Sequence, residues 1–98
     1  MINKAIIDGE KIKEEKDFYL QIAEQIDFGF GFGYNYHAFI DRLGRDLEGP
    51  ICIVWRNHEH SKEILGDKFF MITNALEKIK KDDEKYLPEG KRFTYQLE

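Results

Sequence analysis

The sequence predicts an α/β domain, a three-stranded parallel sheet packed with three to four helices. Three observations carry that expectation. Short β-prone segments recur at residues 4–7, 51–55 and 93–97. Stretches with helical apolar spacing lie between them, and strands separated by helices form small parallel sheets with the helices packed on them. The 98 residues are 42% hydrophobic and include eight Phe, five Tyr and one Trp, enough for one core in one domain, 1–98.

The first strand, at residues 4–7, is short and β-branched and runs into the turn Asp8-Gly9. Asp17 then stands as an N-cap ahead of Phe18, Ile22 and Ile26, which share one helical stripe. Gly29, Gly31 and Gly33 end that helix. A second helix begins near Asn35. Tyr36, Phe39, Ile40, Leu43 and Leu47 fall on its apolar stripe, and His37, Asp41 and Arg45 share a polar face. Gly49-Pro50 closes the region, and residues 51–55 read as a strand buried on both faces.

Residues 56–62 are polar and lead into a short helical turn at 61–65, after which Gly66-Asp67 punctuates with Asp67 as a cap. Phe69, Ile72, Leu76 and Ile79 mark a third substantial helix. Residues 80–90 read as a polar connection containing Pro88, and residues 93–97 alternate as a closing strand.

Composition excludes several functions. Nineteen acidic against fifteen basic residues give a net charge of −4, a poor match to nucleic-acid phosphates. The acidity is uneven. Residues 78–92 hold six basic and four acidic side chains, leaving the rest of the chain nine basic and fifteen acidic, a balance of −6. The single cysteine, Cys52, excludes an intrachain disulfide and sits in an apolar strand, where a thiol behaves as a small hydrophobe. The apolar run near the N-terminus is shorter than the roughly 7–15 residues of a signal peptide, and no run approaches the ~20 residues of a membrane helix. A soluble cytoplasmic protein is expected.

The glycine-rich run follows a helix rather than a strand and lacks both the P-loop Lys-Ser/Thr and the GxGxxG spacing, so it reads as an aromatic-studded loop. His58 and His60 bracket Glu59, with only the distant His37 as a third ligand, so a solvated turn is the reading and no metal or cofactor is expected. No carboxylate pair stands out, and an enzyme is not expected. The polar face carrying Asp41, with Asn35 at the helix start and the aromatic loop before it, is either a docking surface or an ordinary solvated face.

Two segments carry a resemblance. Phe32-Gly33-Tyr34-Asn35-Tyr36-His37-Ala38-Phe39-Ile40-Asp41-Arg42-Leu43 and Val54-Trp55-Arg56, followed by Glu59, Ser61 and Lys62, are similar to the barstar family of ribonuclease inhibitors, and the element order agrees along the chain. The resemblance implies a barstar-like fold without catalysis, in which the second helix and its preceding loop plug a ribonuclease active site. It implies that Asp41 stands in for a substrate phosphate, that Gly33 and Asn35 are the family's loop contacts, and that Ile40 replaces a partly exposed tryptophan.

The departures bear on the partner. His37 and Lys78 stand where the family has acidic contacts, with Glu77 beside Lys78. Gly31 falls where an aromatic contact is expected, leaving Phe30, Phe32 or Tyr34 to supply it. The expected partner-binding set is Phe32, Gly33, Tyr34, Asn35, His37, Ile40, Asp41, Glu77 and Lys78. The partner is a cognate ribonuclease or, alternatively, a different toxin or enzyme, met by a monomer that binds neither nucleic acid nor membrane.

Overall fold

A computed structural model describes residues 3–47 and 49–98, with every side chain among them except those of Arg45 and Asp46. The chain runs β1 (Asn3–Asp8), α1 (Glu15–Gln25), α2 (Tyr36–Asp41), β2 (Ile51–Arg56), α3 (His58–Leu65), α4 (Asp67–Tyr86) and β3 (Phe93–Leu97). A π-helical turn, Arg42–Asp46, continues α2. The strands form one parallel sheet in the order β1-β2-β3, with Ala5 opposite Ile53 and Ile53 opposite Tyr95. The predicted α/β class is observed, with four helices on a three-stranded sheet. Among the described residues no helix is long and apolar enough to cross a membrane.

Successive side chains on a strand point to opposite faces. One face supplies Ala5, Ile7, Ile51, Ile53, Trp55 and Phe93 to a core shared with the helical stripes, including Phe18, Ile22, Phe39, Ile72 and Leu76. The other face carries Lys4, Ile6, Thr94 and Gln96, all exposed, and half-buried Cys52. Strand β2 is therefore packed by helices on one face, not on both as its apolar run suggested. Val54 is still only 4% exposed, because it sits between its register neighbours Ile6 and Gln96. A central strand loses water to its neighbours even on an open face.

Several expected boundaries move. Helix α1 starts before Asp17, which is not the cap; Glu14 holds that place. The Asp17 carboxylate instead accepts the backbone N–H groups of Lys13 (2.9 Å) and Glu14 (3.1 Å) from within the first turn. The turn expected at 61–65 is a helix that begins at His58, directly after Asn57 with φ of 54°. Asp67 is the first residue of α4 rather than its cap, and Gly66 precedes it with φ of 58°.

The largest revision concerns residues 80–90, most of which belong to α4. The Lys80–Glu84 pair at 3.1 Å supports the helix along its exposed side. Asp83 accepts the Phe93 N–H (2.8 Å), while Arg92 donates to the carbonyls of Leu87 (2.9 Å) and Glu84 (3.2 Å). Those bonds tie the end of α4 to the start of β3. A solvated helical turn needs no apolar stripe, so periodicity missed it.

One buried polar chain locks β2 to the first turn. The Trp55 indole N–H donates to Ser61 Oγ (3.0 Å), and that hydroxyl donates to the Gly9 carbonyl (3.0 Å). Ser61 is fully buried, so both bonds are needed to keep its hydroxyl satisfied. A Cβ on Gly9 would stand 2.3 Å from the Asn57 carbonyl oxygen, which only glycine avoids.

Candidate functional site

Helix α2 is short, and its entry is built from the sequence itself. Asn35 Oδ1 accepts the Ala38 N–H at 2.9 Å, and Asn35 Nδ2 donates to the Gly33 carbonyl at 3.0 Å. The residue therefore serves both the helix start and the loop before it, the double role that makes asparagine a strong cap. A Cβ on Gly33 would stand 2.9 Å from Asn35 Nδ2, so the absence of a side chain there keeps the bond intact.

The preceding loop alternates inward and outward. Phe28 is 3% exposed and stacks on Phe39 (centroids 5.8 Å apart) and against Phe32 (4.7 Å). Phe30 points fully into solvent. Gly29 and Gly31 on either side of it have φ of 85° and 78°, values that favour glycine. Tyr34, at φ 47°, packs edge-on against Phe32 at 5.2 Å. The Arg42 guanidinium donates to the carbonyls of Phe28 and Phe30, pinning the loop to the far end of α2.

Two grooves flank α2, and Tyr36 lines both. One, of about 450 Å³, runs between α2 and α4 and is bordered by Ile40, Asp41, Lys78 and Asp82. The other, of about 420 Å³, is bordered by Tyr34, Asn35, His37, Glu15 and Lys68. Asp41 and His37 are both exposed, in agreement with the polar face expected for them, and Phe39 and Leu43 are buried on the opposite stripe. Arg45, the third member of that face, has its side chain outside the described residues.

The structure thus gathers Asn35, Gly33, Tyr34, Phe32 and His37 around the helix entry, and Ile40, Asp41 and Lys78 along the α4 side. Glu77 is not brought to Asp41's groove. It accepts the Tyr95 hydroxyl at 2.7 Å and approaches Lys81 at 3.7 Å, on the β3 side of α4. The Tyr95 bond holds the Glu77 carboxyl below its ordinary range. Burial, with the Glu77 contact adding to it, pushes Tyr95 up to about 12. Tyr19, which borders the His37 groove, is raised further by its burial and by donating to Glu15 at 2.5 Å.

Two residues stand out beyond the expected set. Phe30, one of the three candidates for the aromatic contact, is the most exposed aromatic here, and Arg42, which the reading gave no role, is the strut beneath it. A period of two places Phe28, Phe30 and Phe32 on one side of an extended chain, and the positive φ at Gly29 and Gly31 turns Phe30 away from Phe28 instead, so spacing gave no signal for it. Nothing local marked Arg42, whose partners lie 14 and 12 residues away. Among the described residues no three His, Cys, Asp or Glu side chains gather as a metal site. His58 is occupied by the Glu98 carbonyl (2.7 Å) and by Glu59 (3.2 Å).

Residues 2–98 match the profile of the family described as Barstar (barnase inhibitor). This chain belongs to the barstar family. No curated protein matches it closely. Barstar family membership supports a role of the barnase-inhibitor kind, a binding role rather than a catalytic one, with a ribonuclease as the general class of partner.

Proposed function

We propose that the chain is a cytoplasmic immunity protein that binds and blocks the active site of a cognate ribonuclease, with Asp41 in the place of a substrate phosphate. The observation that carries this reading is the exposed Asp41 carboxylate at the end of α2, next in sequence to the arginine that pins the loop. A carboxylate held on a helix can enter a cationic pocket and form charge-assisted hydrogen bonds there. The acidic body of the domain favours the approach of a basic enzyme. In this reading Ile40 and Lys78 meet the partner beside Asp41, and Phe32, Gly33, Tyr34, Asn35 and His37 meet it at the helix entry.

The test is to capture the partner on immobilised chain, identify it, and measure RNA cleavage with and without the inhibitor. Stoichiometric loss of cleavage is expected. Asp41→Ala should weaken binding by about 2 kcal/mol or more, roughly 30-fold, while stability changes by less than about 1 kcal/mol, as for other exposed residues. A change below about two-fold would remove Asp41 from this role.

His37 and Lys78 favour a second reading. Each places a basic or titratable group where an acidic contact was expected, which suits a partner whose rim differs from that of barnase. In that reading the partner is another toxin or enzyme, and RNA cleavage is not what the chain inhibits.

A further inference from the structure

Phe30 is the most exposed large hydrophobic side chain among the described residues. A lone apolar ring in solvent is common. What sets this one apart is how much of the chain holds it there. Gly29 and Gly31 on either side have φ of 85° and 78°, and the Asp27 carboxylate accepts the Gly29 N–H (2.8 Å). Phe28 and Phe32 turn inward and pack on each other, so the loop is anchored before and after its outward ring.

The tip itself is held from the end of α2. The Arg42 guanidinium donates to the Phe28 carbonyl and, at 3.2 Å, to the Phe30 carbonyl. A Cβ on Gly29 would stand 2.9 Å from Arg42 Nη1, so glycine there serves both the positive φ and the close approach of the guanidinium. Phe28 is already fixed by stacking on Phe39, so the bond to the Phe30 carbonyl acts on the tip rather than on the core. Arg42 follows Asp41 directly. The same stretch of chain therefore carries the carboxylate and the brace, and it fixes where Phe30 stands relative to Asp41.

We propose that Arg42 is a positioning residue of the docking surface. It holds Phe30 outward before the partner arrives, and Phe30 enters an apolar slot of that partner beside the cationic pocket that receives Asp41. The inference rests on the reading of Asp41 given above, and adds to it a second anchor and the residue that sets it. Phe30 carries no polar side-chain atom, so its complement is apolar, and aromatic side chains that fill a partner's pocket carry a large share of binding energy. A loop with three glycines in five residues has many conformations to lose, and ordering it on binding weakens association. A planar fork across two carbonyls removes that loss in advance, which an ammonium cannot do.

Affinities of the captured partner for the whole chain and its variants test this, with melting temperatures measured alongside. Phe30→Ala should weaken binding at least about 30-fold with little change in melting temperature, because the ring is fully exposed. Arg42→Lys keeps the charge and loses the fork, and should weaken binding about three- to tenfold. In the Phe30→Ala background the same Arg42→Lys change should cost less than about twofold, since a brace without its ring has nothing to present. A general structural role for Arg42 would weaken both backgrounds alike.

The proposal is overturned by a Phe30→Ala or Arg42→Lys effect below about twofold in the otherwise intact chain, or by an Arg42→Lys loss that persists in full without the ring. Asp41→Ala on the same partner reports on the underlying reading. Sensitivity to Asp41→Ala without sensitivity to Phe30→Ala overturns this inference alone. The reverse removes Asp41 from its role and leaves the Phe30 anchor standing. A chain that captures no partner overturns both.

Discussion

Residues 32–43 and 54–62 carry the two stretches of family resemblance, and the structure puts them to opposite uses. The first displays: Asp41 and His37 are exposed, and the loop leading in holds Phe30 out in solvent. The second conceals: Trp55 and Ser61 are fully buried and complete a hydrogen-bonded chain to Gly9. Both depend on close backbone geometry, with Asn35 and Gly33 in one and Gly9 against the Asn57 carbonyl in the other. The difference teaches that matched motifs mark two kinds of constraint, one on what a partner meets and one on what holds the sheet to its first turn. Substitutions separate them.

The largest effect belongs to the concealed region. Trp55→Ala should destabilise the fold by about 3–5 kcal/mol in chemical denaturation, because the indole is fully buried and packs on Phe18 (4.4 Å) and Phe69 (5.1 Å). Ser61→Ala comes next, at about 1–3 kcal/mol, since it strands the Trp55 N–H and the Gly9 carbonyl without the hydroxyl between them. A neutral Ser61→Ala would break the comparison, by showing that the buried chain holds nothing.

Arg42→Lys acts on the displayed region. An ammonium cannot reproduce the planar fork that spans the Phe28 and Phe30 carbonyls, so amide exchange in residues 28–32 should accelerate. Global stability should change by less than about 1 kcal/mol. An Arg42→Lys loss as large as that of Trp55→Ala would mean that the loop is part of the core rather than a display.

The smallest effect sharpens where the displayed region stops. Glu77→Gln should lower the Tyr95 ionisation from about 12 without returning it to 10.0, since burial is the larger cause and remains. Absorbance titration at alkaline pH reads this directly. Tyr95 is raised in the folded state, so its contribution is fully present below pH 10.0 and is lost as pH rises through about 12. Glu77 is lowered, so its contribution is present above the ordinary carboxylate range and is lost as pH falls through its folded value. The same variant should leave partner binding unchanged, because Glu77 faces β3 and not Asp41's groove.

The helix stripes, the loop and the strand positions were legible because they repeat with the period of the element. Phe39, Leu43, Ile72 and Leu76 are buried where their spacing put them. Asn35 was legible as a cap because its job is local. The end of α4 was not, because residues 80–86 are solvated and carry no stripe, and their hydrogen bonds run forward to Arg92 and Phe93. Glu77 was placed beside Asp41's surface because it neighbours Lys78 in sequence, yet one residue along a helix turns a side chain to a different face.

By itself the sequence determined the class, the three strands, the apolar stripes and the polar face that bears Asp41. Each follows from spacing within one element, where neighbours in sequence are neighbours in space. Tertiary structure alone decided that Arg42 braces the loop, that Ser61 bridges Trp55 to Gly9, and that one sheet face stays open. Those outcomes depend on groups up to 52 residues apart, such as Ser61 and Gly9. Which donors and acceptors meet across such distances is set by how the layers stack, and no local period records it.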